Sequence, residues 1–134
     1  MEIKKAYDFA IIIPVYNNEG TIDLLMEKIN EKVIKGNKNL LGKIVFCDDG
    51  STDNSYKALK NVKDKYENIK IIKLTKNFGQ TSAIYAGLNH SDAKCYIITS
   101  ADLQDPIETI NIFLWNFFNE KSNIIVGYRS SRDD

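Results

Sequence analysis

The chain is expected to fold as an α/β domain on a mostly parallel sheet flanked by helices. Three observations predict this. Apolar runs of strand length alternate with segments of helical apolar spacing along the whole chain, the pattern of βαβ units with right-handed crossovers. Clusters of polar, chemistry-bearing residues follow the apolar runs one after another, which is where ligands bind in such sheets. A length of 134 residues, 43% of them hydrophobic and 27% charged, suits one domain with a substantial core.

Residues 9–15 are a continuous apolar run and form the first expected strand. From Thr21 to about Lys35, Ile22, Leu25, Met26, Ile29 and Val33 keep helical spacing, and residues 36–39 break it. Residues 43–47 are the second strand, closed by Asp48, Asp49, Gly50 and Ser51. Ser51, Thr52 and Asp53 are candidate caps for a helix carrying Tyr56, Leu59, Val62 and Tyr66. Residues 69–74 form a third strand, residues 77–79 a turn, residues 80–88 a short helix and residues 94–99 a fourth strand. Asp105, Pro106 and Glu108 fit the N-cap, the first helical position and the third position of a capping box. The helix they open buries Ile107, Ile110, Phe113, Leu114 and Phe117. Residues 123–128 are a last expected strand. The sequence stops just past it, which reads as a fold truncated on its C-terminal side, a piece excised from a longer parent.

Several function classes fall away on composition. Formal net charge is zero and acids are interspersed among the lysines, so no basic face is present for nucleic acid. No apolar run reaches membrane-spanning length, and the N-terminus lacks a signal-peptide core. The expected location is cytoplasmic. Cys47 and Cys95 each sit in an apolar strand-like run without metal-ligand spacing, and read as buried free thiols in a reducing compartment. His90 follows a helix end, where a positive ring would favour the dipole. A GxGxxG after the first strand and a GxxxxGK[ST] are both missing, which argues against a dinucleotide dehydrogenase or a P-loop NTPase.

Five polar clusters sit at strand ends and should converge on one crevice. The most informative spans Thr99, Ser100, Ala101, Asp102, Leu103, Gln104, Asp105 and Pro106. Asp102 has no capping role there, whereas Asp105 and Asp53 read as helix caps and Gly79 as a turn or a ligand contact. A carboxylate with an amide oxygen two residues on suits a hard cation, and Mg²⁺ is commonly held by one or two carboxylates plus substrate phosphates. If a nucleotide binds, Asp102 with its cation and Arg129 are the groups available to neutralise its phosphates.

Five motifs in order then carry a family resemblance: residues 13–19 (IPVYNNE), 48–53 (DDGSTD), 76–80 (KNFGQ), 101–106 (ADLQDP) and 126–129 (VGYR). Together the chain resembles the nucleotide-sugar-binding half of the family 2 inverting glycosyltransferases of the GT-A, Rossmann-like fold. The likeness is greatest to the branch with dolichyl-phosphate mannosyltransferase and bacterial polyprenyl-phosphate glycosyltransferases. It implies that residues 1–134 are the nucleotide-sugar-binding part of such a domain. It further implies that Pro14, Tyr16 and Glu19 wrap base and ribose. Asp48 and Asp49 would form an acidic pair of which one reads a base N–H. Asn77, Gly79 and Gln80 would line the nucleotide, Asp102 and Gln104 would contact metal and diphosphate, and Arg129 would contact the diphosphate. Asp102 and Arg129 are then the catalytic candidates.

The implied activity is metal-dependent transfer of a hexose-type sugar, with inversion, from a UDP- or GDP-sugar to a polyprenyl phosphate or a cell-surface glycan, with Mg²⁺ or Mn²⁺ as cofactor. The parent would work at the cytoplasmic face of the membrane through its missing C-terminal part. The family usually carries Asp-x-Asp where this chain has Ser100-Ala101-Asp102. The alternative is therefore a degenerate module that binds a nucleotide sugar without turnover. A receiver-like domain is disfavoured, because the third strand ends Lys73-Leu74-Thr75 with no phosphorylatable aspartate.

Overall fold

The computed structural model describes residues 7–125 and Gly127. Four strands form one sheet: β1 (Tyr7–Val15), β2 (Gly42–Asp48), β3 (Ile69–Lys73) and β4 (Ala93–Ile98). Their order is β3-β2-β1-β4, and every neighbouring pair is parallel. The helices are α1 (Ile22–Ile29), α2 (Ser55–Lys65), α3 (Gln80–Asn89) and α4 (Thr109–Glu120). The expected α/β architecture is borne out.

The sheet is packed on both faces because β1 and β2 alternate two apolar sets. Phe9, Ile11, Ile13 and Val15 join Ile44 and Phe46 in the larger core, with Leu25 and Met26 of α1, Leu59 of α2 and Leu114 of α4. Ala10, Ile12, Val45 and Cys47 face the other way, against Ala83 of α3. Ile11, Ile12, Ile13 and Val15 are all fully buried, and each such side chain contributes roughly 1.5–3 kcal/mol. Burial pushes the Cys47 thiol up to about 12 and the Cys95 thiol up to about 11, and both cysteines are free. Cys47 is buried as the sequence predicts, whereas Cys95 is only partly buried.

This order makes a switch point. The chain leaves β1 for β2 and β3 on one side, then recrosses to place β4 on the other side of β1. In such sheets the crevice beyond the carboxyl ends at the reversal is the binding position. Pro14 is tolerated in this central strand because β4 stops at Ile98, opposite Ile12. The missing N–H therefore faces no partner strand.

Three expectations need correction. The first helix is α-helical only to Ile29, followed by a π turn over Asn30–Ile34 and a 3₁₀ turn over Lys35–Asn37. Wider turns release carbonyls, and here the Lys32 carbonyl accepts from Asn111 Nδ2 at 2.9 Å and the Val33 carbonyl from Asn37 Nδ2 at 2.8 Å. Secondly, α4 starts at Thr109 with Glu108 at its cap position and no side-chain cap bond. Residues 106–111 begin instead with i→i+3 backbone bonds, such as Thr109 N–H to the Pro106 carbonyl at 3.1 Å. The capping box of Asp105, Pro106 and Glu108 does not form, because the Glu108 carboxylate is engaged by Lys32 of the π turn. Thirdly, Asn123, Ile124 and Ile125 are not in a strand. Val126 and Tyr128, the rest of that expected element, lie outside the described residues along with the flanking Arg129.

Candidate functional site

The loops after β1 and β2 are bonded to each other residue by residue. Asn17 N–H donates to Ser51 Oγ at 3.0 Å, Asn18 N–H to Ser55 Oγ at 2.8 Å, and Glu19 N–H to Asp53 Oδ2 at 3.3 Å. In return, Asn17 Oδ1 accepts from Thr52 N–H at 2.8 Å, Thr52 Oγ1 at 3.3 Å and Asp53 N–H at 3.4 Å. Asn17 sits in the left-handed region at φ 53°, a conformation that asparagine accepts more readily than most residues. Asp53 Oδ1 also accepts from Ser55 N–H at 2.9 Å, but the N-cap position of α2 is Asn54 and carries no side-chain cap bond, so the expected Ser51, Thr52 or Asp53 cap is not formed.

The acidic pair turns inward. Asp48 is 0% exposed and Asp49 is 3% exposed. Asp48 Oδ1 accepts from Ser51 N–H at 3.1 Å, while its buried Oδ2 has no hydrogen-bond partner among the described residues. Asp49 holds the loop after β3. Its Oδ1 accepts from Phe78 N–H at 2.8 Å, and its Oδ2 from Gly79 N–H at 3.1 Å and Asn77 Nδ2 at 3.3 Å. Gly50 lets the two loops meet. It has φ +69°, and a Cβ there would lie 2.3 Å from the Lys76 carbonyl carbon and 2.4 Å from Asn77 N. Gly79 has φ +103° with open space around its Cβ position, so its backbone rather than its packing demands glycine.

The loop after β4 is built differently. Thr99 N–H extends the ladder to the Ile12 carbonyl at 3.2 Å. Ala101 is buried, and its carbonyl accepts from Thr21 Oγ1 at 2.6 Å. Leu103, left-handed at φ 62°, packs on the larger core. Asp102 lies exposed between these two anchors, and its Oδ1 accepts from Ser100 Oγ at 2.6 Å and Gln104 N–H at 3.0 Å.

The structure thus gathers Pro14, Tyr16, Glu19, Asp48, Asp49, Asn77, Gly79 and Gln80 around the ends of β1, β2 and β3, and sets Asp102 and Gln104 at the end of β4. Arg129 lies outside the described residues. Sequence reasoning missed Asn17, Asn18, Ser51 and Ser55 as the groups that join two loops, Thr21 as the tether of Ala101, and Phe78, half exposed beside the Asp49-held turn. The Asn-Asn pair beside a strand end was the only available signal.

The donor set at Asp102 and Gln104 is hard oxygen and fits Mg²⁺ or Mn²⁺ as a partial shell. Among the described residues no group of three His, Cys, Asp or Glu side chains gathers, so substrate phosphates would have to supply further ligands. A cavity of about 720 Å³ adjoins the loop after β4, lined by Ile97, Thr99, Asp105 and Pro106 and by Ile110 and Phe113 of α4.

Comparison with known proteins gives the family and supports the fold. The sequence profile described as "Glycosyl transferase family 2" matches residues 10–134. The undecaprenyl-phosphate 4-deoxy-4-formamido-L-arabinose transferase of Proteus mirabilis is 40% identical over 112 residues, covering 80% of this chain and 32% of that protein. Among solved structures, Staphylococcus aureus TarS in complex with UDP superposes with TM-score 0.67 at 22% identity, over 82% of this chain and 32% of the other. The mannosyltransferase PcManGT of Pyrobaculum calidifontis, in complex with GDP-Man and Mn²⁺, gives TM-score 0.68 at 23% identity, over 87% and 36%. The chain spans about a third of the length of these proteins.

Proposed function

The chain belongs to glycosyl transferase family 2, and on that premise we propose that residues 1–134 form the sugar-donor site of an enzyme that transfers a sugar, with inversion, from a nucleoside-diphosphate sugar. The observation that carries this reading is the junction at the switch point. Three strand-end loops are joined by Asn17, Asp49 and Gly50 into one cradle, and an exposed carboxylate stands at the next strand end.

In this reading the base and ribose lie against Pro14, Tyr16 and Glu19, with Asp48, Asn77, Gly79 and Gln80 lining the same cradle. Tyr16 and Phe78, each about half exposed (46% and 50%), offer aromatic surface to a base. Asp49 holds the wall through its three bonds to residues 77–79 instead of contacting ligand. Asp102 and Gln104 would hold a Mg²⁺ or Mn²⁺ ion, with Arg129 contacting the diphosphate. The cation, when bound, stabilises the negative charge that develops on the departing diphosphate. The acceptor oxygen forms its bond to the anomeric carbon as the bond from that carbon to the diphosphate oxygen breaks.

A relative acting on undecaprenyl phosphate supports a polyprenyl phosphate acceptor, with a cell-surface glycan as the other candidate. An acceptor that is already anionic needs no base to activate it. Among the described residues no helix is long and apolar enough to cross a membrane. In this reading membrane contact and a cytoplasmic-face location belong to the longer parent.

Ser100, where the family carries a second aspartate, favours one other reading: a module that binds the donor without turnover. The test is a thermal-shift titration with UDP, GDP, CDP and dTDP, each with and without Mn²⁺. At about 100 times its dissociation constant, a ligand specific to the folded state adds about 2.7 kcal/mol. A shift for one nucleotide is expected, and no shift with any of the four sinks the donor-site reading. Transfer assays on the parent with Ser100→Asp separate enzyme from binding module.

A further inference from the structure

We propose that Ser100 is a positioning residue for Asp102, and that it makes divalent-cation binding at this loop conditional on a bound diphosphate. The inference rests on the donor-site reading and deepens it. Its basis is the arrangement around one carboxylate. The Ser100 hydroxyl donates to Asp102 Oδ1 at 2.6 Å, and Gln104 N–H closes an Asx turn on the same oxygen at 3.0 Å. The backbone on either side is fixed independently, by Thr21 on the Ala101 carbonyl at 2.6 Å and by Leu103 packed on the core at φ 62°. Side chain and main chain of Asp102 are therefore both placed by this chain's own groups.

An aspartate at position 100 would act in the opposite sense. Two carboxylates within hydrogen-bond distance repel, and the repulsion is relieved only by a proton or a cation between them. Such a loop needs its metal to be ordered. The serine removes that need, because a neutral donor satisfies the same oxygen. It also removes one anionic ligand. What remains is the Asp102 carboxylate and the Gln104 amide, and no group of three His, Cys, Asp or Glu side chains gathers among the described residues. Hard divalent ions held by so few protein groups take the rest of their shell from phosphate oxygens and water. Donor and cation should consequently enter together.

The test is calorimetric titration of Mn²⁺ into the full chain, alone, with inorganic diphosphate and with the preferred nucleoside diphosphate, for wild type and Ser100→Ala, Ser100→Thr and Ser100→Asp. Circular dichroism checks that each variant is folded. In wild type, Mn²⁺ should bind at least about tenfold more tightly with a diphosphate than without. Ser100→Thr, which keeps the hydroxyl, should behave as wild type, and Ser100→Ala should weaken diphosphate-dependent binding about fivefold. Ser100→Asp should bind Mn²⁺ without diphosphate, and its melting temperature should rise with Mn²⁺ alone. Equal Mn²⁺ affinity with and without diphosphate, no Mn²⁺ binding in any arm, or an alanine variant identical to wild type each overturns the proposal. Nucleotide binding with or without Mn²⁺, read in the same samples, reports on the cradle. Its presence with a failed Mn²⁺ response removes this inference alone, whereas its absence removes the donor-site reading.

Discussion

The loops after β1, β2 and β3 are bonded to one another across 28 to 37 residues of sequence, whereas the Asp102 carboxylate after β4 is held by Ser100 and Gln104, each two residues away. The first region buries its acids, with Asp48 at 0% and Asp49 at 3% exposure. In the second, Asp102 and Gln104 are exposed. Both carboxylate oxygens of Asp49 accept from residues 77–79, so Asp49 is committed to structure before any ligand arrives. Asp102 is exposed, and the donor-site reading assigns it to the cation. The proposed nucleoside side is thus preorganised, which lowers the ordering cost of binding. The proposed diphosphate side is completed on binding.

The largest effect should come from Gly50→Ala. Its Cβ would sit within 2.4 Å of the backbone of Lys76 and Asn77, at φ +69°. Neither a flexible side chain nor a rotamer change relieves a clash with main chain. A loss of about 3 kcal/mol is expected in urea unfolding, together with loss of nucleotide-induced stabilisation. A loss under about 1 kcal/mol would break the claim that the two loops meet through this residue.

A pair of aspartate variants sharpens the contrast further. Asp49→Ala leaves the Phe78 and Gly79 N–H groups without their acceptor and should cost about 2–3 kcal/mol. Asp102→Ala should cost no more than about 1 kcal/mol, as an exposed surface change does, yet abolish the Mn²⁺ dependence of nucleotide-induced shifts. Equal stability losses in the two variants would erase the distinction between a structural and a ligand-facing acid.

What the sequence disclosed follows from what it encodes locally. The strands were legible because β1 and β2 contain unbroken apolar runs, residues 9–15 and 44–47, and the site loops because each follows such a run. The roles within the loops were less so. Asp48 and Asp49 read as one acidic pair, yet their side chains point to different partners, Ser51 and the 77–79 loop. That division depends on the alternation of residues along β2 and on the approach of β3, which no local pattern contains. The Asn17–Thr52 bond depends in the same way on the β1–β2 register, in which Val15 faces Asp48. The missed π turn and the failed capping box share a cause. Lys32, Glu108, Asn37 and Asn111 meet between α1 and α4 and draw polar groups away from the helix ends. Tertiary pairing overrode a sound local signal.

Asn17 tests the stitching directly, at a smaller expected cost. Asn17→Ala removes the acceptor for Thr52 and Asp53 and places a Cβ residue without a polar side chain in the left-handed region. A loss of about 1–2 kcal/mol is expected. Asn17→Gly keeps the backbone conformation cheap and should recover part of it. If glycine is no better than alanine, backbone strain contributes nothing and the loss belongs to the hydrogen bonds alone.

The smallest effect is a pH dependence confined to the preorganised side. Burial pushes the Asp53 carboxyl up, but hydrogen bonds from the Ser55 hydroxyl, from Ser55 N–H and from Glu19 N–H outweigh it and hold it below its ordinary value of 3.8. A group depressed in the folded state binds its proton more readily in the unfolded one. Its contribution is therefore fully present above about pH 3.8 and is lost as pH falls through the folded-state value. Asp53→Asn removes the titration while keeping an acceptor oxygen for Ser55. The stability gap between wild type and variant, measured by urea unfolding, should be present at pH 5 and shrink towards pH 3. A gap that stays constant over that range would mean that the carboxylate charge adds nothing to the junction of the first two loops. The joining would then rest on Asn17, Ser51 and Ser55, neutral groups whose bonds do not titrate.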